Sequence, residues 1–389
     1  MLSYRSEDIN KVLCMICIVA LPAAWMSALV GSVYRTLTIL LIAIYIVCNR
    51  GKVYLTKSNI SLELAWTIYM AYCFASAFWG KNINSSISNS ISMLLIYCIM
   101  LLFSSQEFDK QIRKKVNFCW LIAGQVGALL FLLGERADVG MYTSRTSLMI
   151  AGTATDPNEF SSIFIISIAL SIYYLLSNKE KVWMKLFCIV SSIMQIYAVF
   201  LCGSRGALIS IVVTVIIAVF LNIKPSIKTI LFMIVSIVII YIVLLKYIIP
   251  LIPEDIIARL SLQALVEDQG SGRMQLWFEA LDKIWNGPIW RLLLGYGHGG
   301  LVVKVIGGTS TMHNQLLQQL ANYGMIGLIL FLWLLWTTFQ SIRSKNYIFI
   351  PAFWGMMIMS MTITMGTQCK PYWVLLLMGF CGDNEIEKV

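Results

Sequence analysis

The sequence predicts an all-α polytopic membrane protein, with about 12 transmembrane helices and one large extracytoplasmic loop containing short helices. Three observations predict it. Of the 389 residues, 59% are hydrophobic and only 12% charged, whereas soluble domains carry roughly a quarter charged residues. The apolar residues are gathered into runs near span length, about 20 residues being needed to cross the hydrocarbon core. The basic residues alternate between rich and poor connections, as the orientation bias of membrane proteins requires.

The runs centre near 12–30, 36–48, 62–79, 89–104, 117–134, 161–177, 186–202, 206–222, 229–249, 322–340, 348–366 and 371–380. The whole chain, 1–389, reads as a single integral membrane domain, with the large extracytoplasmic loop at 250–321 inside it. The first run lacks a following small-residue cleavage site and leads at once into further spans, so no cleavable signal peptide is expected.

With the N-terminus cytoplasmic and the sides alternating, most of the 29 basic residues fall inside, in segments such as KQIRKK at 110–115 and KEKVWMK at 179–185. The short outer connections hold only Arg35, Lys81, Arg136, Arg145, Arg205 and Lys370. A missed span would scramble this pattern, so the charges support both the count and the orientation, with both termini cytoplasmic. The net charge of +10 follows this topology and calls for no nucleic-acid partner.

The ten cysteines lie in or beside apolar runs and read as small buried hydrophobes. Cys14 and Cys17 form a C-x-x-C, but inside the first run and without partner ligands. The outer connections hold no histidine pair at ligand spacing and no D-x-D, so no metal and no cofactor is expected. GSVYR at 31–35 and KNINSSIS at 81–88 contain no acidic residue, which argues against membrane glycosyltransferases that use a first-loop aspartate and a metal.

Three outer segments carry the polar chemistry. The first, 135–160, ends in TDPNEF. Asp156 there suits the cap of the sixth span, with Pro157 in its first turn; a second reading makes Asp156 and Asn158 part of a polar substrate cavity. The second is CGSRGALIS, a glycine-rich turn carrying Arg205. An arginine at the outer edge opposes the orientation bias, so it either snorkels to water or meets an anion. The third is the large loop, with Arg259, Arg273 and Arg291 and the chain's two histidines, His298 in GYGHGG and His313 ahead of Asn314, Gln315, Gln318 and Gln319. Histidine is the side chain best suited to proton transfer near neutrality. Guanidinium forks suit phosphate and can neutralise a departing pyrophosphate.

The order SRG, then GSGR, GYGHGG and HNQLLQQLANYGMIGL, resembles the O-antigen ligase and O-antigen polymerase superfamily of bacterial envelope glycosyltransferases. The resemblance spans about residues 150–340 and rests chiefly on the pattern HN-x-x-L-Q-x-x-x-x-x-G-x-x-G. It implies a metal-independent, inverting transfer of a glycan from an undecaprenyl pyrophosphate carrier to a sugar hydroxyl, on the outer side of the bacterial inner membrane. Carried over, His313 would be the general base, and Arg205 and Arg273 would hold the pyrophosphate, with Arg259, Arg291, Asn314, Asp156, Asn158 and His298 around the substrate. The partners implied are the lipid-linked donor glycan, an acceptor glycan on a lipid carrier, membrane lipid, and a flippase and chain-length regulator. TDPNEF and the compact loop favour a polymerase over a ligase acting on lipid A core. A flippase for the same anionic lipid is the alternative without bond formation, and would place basic residues on both sides of the midplane. The reading expects His313 to face Arg205 across the hairpin, with Arg273 between.

Overall fold

The computed structural model describes residues 4–28, 31–53, 59–139, 145–150, 152–222, 246, 250, 254–260, 272–305, 308–310, 312–367 and 369–382. The helices are α1 (Tyr4–Val19), α2 (Val33–Cys48), α3 (Ile60–Ala75), α4 (Ile83–Ser104), α5 (Lys110–Leu133), α6 (Pro157–Leu176), α7 (Val182–Leu201), α8 (Arg205–Asn222), α9 (Glu254–Leu260), α10 (Arg273–Trp285), α11 (Ile289–Leu294), α12 (Gln315–Lys345), α13 (Ile350–Ser360) and α14 (Lys370–Leu376).

Seven described helical segments are long and apolar enough to cross a membrane: α3 with the 3-10 turn after it, α4, α5, α6, α7, α8 and α12. The chain is a helical, multi-pass membrane protein. The expected runs at 36–48 and 348–366 are shorter apolar helices; at about 1.5 Å per residue, the 16 residues of α2 reach only about 24 Å. In the first run α1 stops at Val19, and a 3-10 turn, Leu21–Trp25, follows with Pro22 near its start. The expected span at 229–249 falls outside the described residues save for Lys246. The all-α expectation overlooks small antiparallel pairings in the connections: β1 (Ser27–Ala28) with β2 (Gly31–Ser32), β3 (Arg136–Asp138) with β4 (Thr146–Ile150) and β5 (Thr153–Ala154), and β6 (Val303–Val305) with β7 (Gly308–Ser310). Strands of two to five residues carry too little periodicity to be read from sequence.

The chain divides into two compact units: Met1–Cys119, Ser271–Phe349 and Ser360–Val389 form the first, and Trp120–Gly270 with Ile350–Met359 the second.

In the first unit α12 packs along α3, with α11 against it. At Gly324 the backbone of α12 leaves helical geometry, with φ 68° and ψ −169°. The break frees carbonyls that an unbroken helix would occupy. The Tyr296 N–H donates to the Ala321 carbonyl at 2.9 Å, the Gly297 N–H to that of Asn322 at 2.9 Å, and the Tyr72 hydroxyl to that of Tyr323 at 3.1 Å. Residues 295–297, at the start of the GYGHGG turn, therefore dock into the kink. The Cβ of any residue but glycine at 324 would lie 2.3 Å from the Leu293 carbonyl oxygen.

In the second unit α6 packs against α7 and α8 through small polar residues. Ser161, Ser162, Ser167 and Ser171 are buried on α6. Gln195 of α7 donates to Ser167 Oγ at 3.0 Å and to Ser191 Oγ at 2.7 Å. Such residues let helix backbones approach and hydrogen-bond between spans, where burial of apolar surface supplies no drive for association.

Candidate functional site

In the first unit the candidate base sits at the start of α12. Asn314 caps the helix, its Oδ1 accepting the Leu317 N–H at 3.1 Å, while its Nδ2 donates to the Met361 carbonyl at 3.4 Å. Before it stands His313, half-buried, with φ 46°. A non-glycine residue rarely adopts that left-handed conformation, and the cost of holding it is of order 1 kcal/mol or more. The surroundings over-determine it. Gln318 Oε1 accepts the Met312 N–H at 3.0 Å, the Trp277 indole donates to the Met312 carbonyl at 2.7 Å, and Gln315 Oε1 accepts the Met365 N–H at 2.7 Å.

Trp277 belongs to α10, whose Leu276, Ala280 and Ile284 share a core with Tyr296, Met312 and Ala321. Arg273 opens that helix one turn before Trp277, and the preceding Gly272 has φ 74°. The fold thus brings the helix that carries Arg273 onto the loop that carries His313.

His298 and Arg291 have other surroundings. Arg291 is buried, donates to the carbonyls of Trp79 at 2.8 Å and Gly295 at 3.2 Å, and lies over the Trp290 ring at 3.8 Å. It fastens α11 to the turn after α3. His298 meets Asn322, whose Nδ2 lies 3.2 Å from its Nδ1. Asn322 Oδ1 in turn accepts from Gln318 Nε2 at 2.9 Å. An amide nitrogen can only donate, so Nδ1 is the acceptor and the neutral ring carries its proton on Nε2. Burial pushes the His298 imidazole below its usual value.

The second unit holds a separate charged cluster. Asp156 caps α6, its Oδ1 accepting the N–H groups of Asn158 at 2.8 Å and Glu159 at 3.0 Å. Asn158 is buried, and its Oδ1 accepts the Ser204 hydroxyl at 2.8 Å. Ser204 Oγ also accepts the Ala207 N–H at 3.3 Å, so one serine caps α8 and joins it to the start of α6. Arg205 is the first residue of α8.

Sequence reasoning passed over the third member, Arg145, at the edge of β4. Its N–H donates to Asp138 Oδ1 at 2.9 Å, and β4 is further fixed by the Ser147 hydroxyl on the Thr155 carbonyl. The Arg145 Nε and Nη2 are buried with no hydrogen-bond partner among the described residues. Burial pulls this guanidinium below its usual value, Asp156 opposes that, and Arg205 adds to it by like-charge repulsion. The cluster therefore sets two guanidiniums within electrostatic range of each other and of exposed Asp156, with the Arg145 Nε and Nη2 as its open buried donors. The signal that could have found Arg145 is its place among the six bases standing against the orientation bias.

Arg259 lies in α9, and its side chain is outside the described residues. Among the described residues no three His, Cys, Asp or Glu side chains gather as metal ligands would.

Compared with known families, residues 187–332 match the model of the family described as O-antigen ligase. The resemblance carried by SRG, GYGHGG and the HN-x-x-L-Q pattern is therefore shown over a stretch that includes Arg205, Arg273, His298 and His313. No curated protein matches the chain.

Proposed function

We propose that this protein is a polysaccharide polymerase of the bacterial inner membrane. In this reading it transfers an undecaprenyl-pyrophosphate-linked glycan onto a sugar hydroxyl of another lipid-linked repeat unit, with inversion and without a metal. The observation that carries it is Arg145, whose buried Nε and Nη2 have no hydrogen-bond partner among the described residues and which lies within electrostatic range of Arg205, an arrangement that suits an anion. It is supported by the family match, which covers Arg205 and His313. About 12 spans, with both termini cytoplasmic and the site outside, belong to the same reading.

The chemistry balances on groups of this chain. His313 accepts the proton of the acceptor hydroxyl as its oxygen attacks the anomeric carbon. Attack comes from the face opposite the pyrophosphate, so the configuration inverts. The bond from the anomeric carbon to the pyrophosphate oxygen breaks, and undecaprenyl pyrophosphate leaves with the electron pair. Arg205 and Arg145 neutralise the charge that develops on it. Arg273, on the helix bound to the His313 loop through Trp277, supplies a further cation to the leaving group.

A second reading is transfer to lipid A core by a ligase, the kind of activity that the family description names. The two are separated by giving the purified, reconstituted protein lipid-linked repeat units with and without lipid A core. Polymer formed without lipid A core supports the polymerase. Product formed only with lipid A core supports the ligase. Transbilayer movement of the lipid without product would leave a flippase and refute both.

A further inference from the structure

A cavity of about 430 Å³ lies wholly in the first unit, among Arg35, Lys370, His298, Ser85, Ser88 and Asn89. Its size is within the usual range of ligand pockets, about 300–1,000 Å³. Two of its lining residues are cations, and no carboxylate lines it. Arg35 and Lys370 are two of the six bases that oppose the orientation bias, which asks for the same kind of explanation that Arg145 and Arg205 received. Snorkelling would put the charged head in water. Arg35 is half-buried, and its Nε is buried with no hydrogen-bond partner among the described residues, a donor that an anion in the cavity would satisfy. The serine, asparagine and threonine groups around the cations suit hydroxyls, so the lining is complementary to a phosphorylated sugar.

The cavity is also joined to the candidate base. His298 lines it and meets Asn322, Asn322 accepts from Gln318, and Gln318 accepts the N–H of Met312, the residue before His313. An occupant that touches His298 therefore bears on the loop that must receive the acceptor hydroxyl.

We propose that this cavity is a second phosphate site, in which Arg35 and Lys370 hold the phosphate that links the acceptor glycan to its lipid while the polar lining receives the adjoining sugar. The acceptor role rests on the transfer reading above. The shared chemistry is a phosphate ester, and it could come from a lipid-linked glycan or from a bilayer phospholipid headgroup.

The test counts binding sites on the full chain in nanodiscs of phosphatidylcholine. The probe is a disaccharide pyrophosphate on a short prenyl chain, and stoichiometry is read by native mass spectrometry. The wild type is expected to bind two equivalents, Arg35→Gln/Lys370→Gln one, and Arg205→Gln one. Ser88→Trp, which narrows the cavity without removing charge, is expected to bind one, and the equivalent retained in each variant reports a folded protein. Two equivalents retained by both cavity variants would overturn the proposal. So would one equivalent in the wild type, or loss of the second equivalent when phosphatidylglycerol enters the disc, since the site would then belong to the bilayer lipid. A wild type that makes polymer but binds one equivalent refutes this inference alone. One that binds two, loses one with Arg35 and Lys370, and makes no product refutes the transfer reading and leaves the second site standing.

Discussion

Gln318 Oε1 accepts the N–H of Met312 at 3.0 Å, so the first turn of α12 holds the residue immediately before His313. Gln318→Leu would leave that buried N–H and the Asn322 amide without their partner, at a cost of about 1–3 kcal/mol. Gln318→Glu keeps the acceptor. We expect the leucine variant to lose transfer activity at least about tenfold and the glutamate variant to recover part of it, measured as polymer formed per minute. Equal activity in the two would refute a positioning role for Gln318.

Gly324 lets α12 break and receive residues 295–297. A Cβ there would stand 2.3 Å from the Leu293 carbonyl oxygen and 2.6 Å from the Gly295 nitrogen, on a backbone with φ 68°. Gly324→Ala is expected to cost about 3 kcal/mol or more, visible as a fall in Tm of the detergent-solubilised protein. An unchanged Tm would show that the kink relaxes without loss.

The motif HN-x-x-L-Q-x-x-x-x-x-G-x-x-G shows how much could be read in advance. Its spacing could be recognised, but its physical reasons needed the fold: a left-handed histidine, a capping asparagine, a glutamine on the preceding loop and a glycine at a kink. Asp156 as a helix cap was legible because capping is local. Arg145 was not, because its meaning comes from Asp156 and Arg205, which are distant in sequence. The surroundings of Arg291 were not legible either, since the carbonyls of Trp79 and Gly295 that bind it carry no sequence signature. The seven long apolar helices were plain from hydropathy, whereas the ends of the shorter ones were set by local turns such as Leu21–Trp25.

Arg145 carries the electrostatic half of the proposal. Arg145→Gln is expected to lower kcat/KM for the lipid-linked donor about 10²-fold, as loss of one donor to a developing anion typically does. Arg145→Lys, which keeps the charge but not the fork, is expected to recover little. Steady-state rates with purified donor decide it, and a fully active glutamine variant would remove Arg145 from the site.

Acid should destabilise the protein through His298. Burial holds its folded value below the usual one near 6.5, so as pH falls through about 6.5 the unfolded ring takes up a proton before the folded ring does. Stability therefore drops from there to the folded value and then levels off. Comparing Tm at pH 7.5 and pH 5.0, the wild type is expected to lose more than His298→Gln, with shared carboxylates affecting both alike. Equal losses would contradict the sign or the residue.

The most direct measurement is chain extension by His313→Gly, purified, reconstituted and supplied with undecaprenyl-pyrophosphate-linked repeat units. Glycine accepts the left-handed backbone that His313 holds at φ 46°, so the variant is expected to be at least as stable as His313→Ala, and any lost activity reports the imidazole. The account predicts a folded protein, with Tm at or above that of the alanine variant, that makes no polymer. Polymer of normal length and rate from His313→Gly would contradict His313 as the general base.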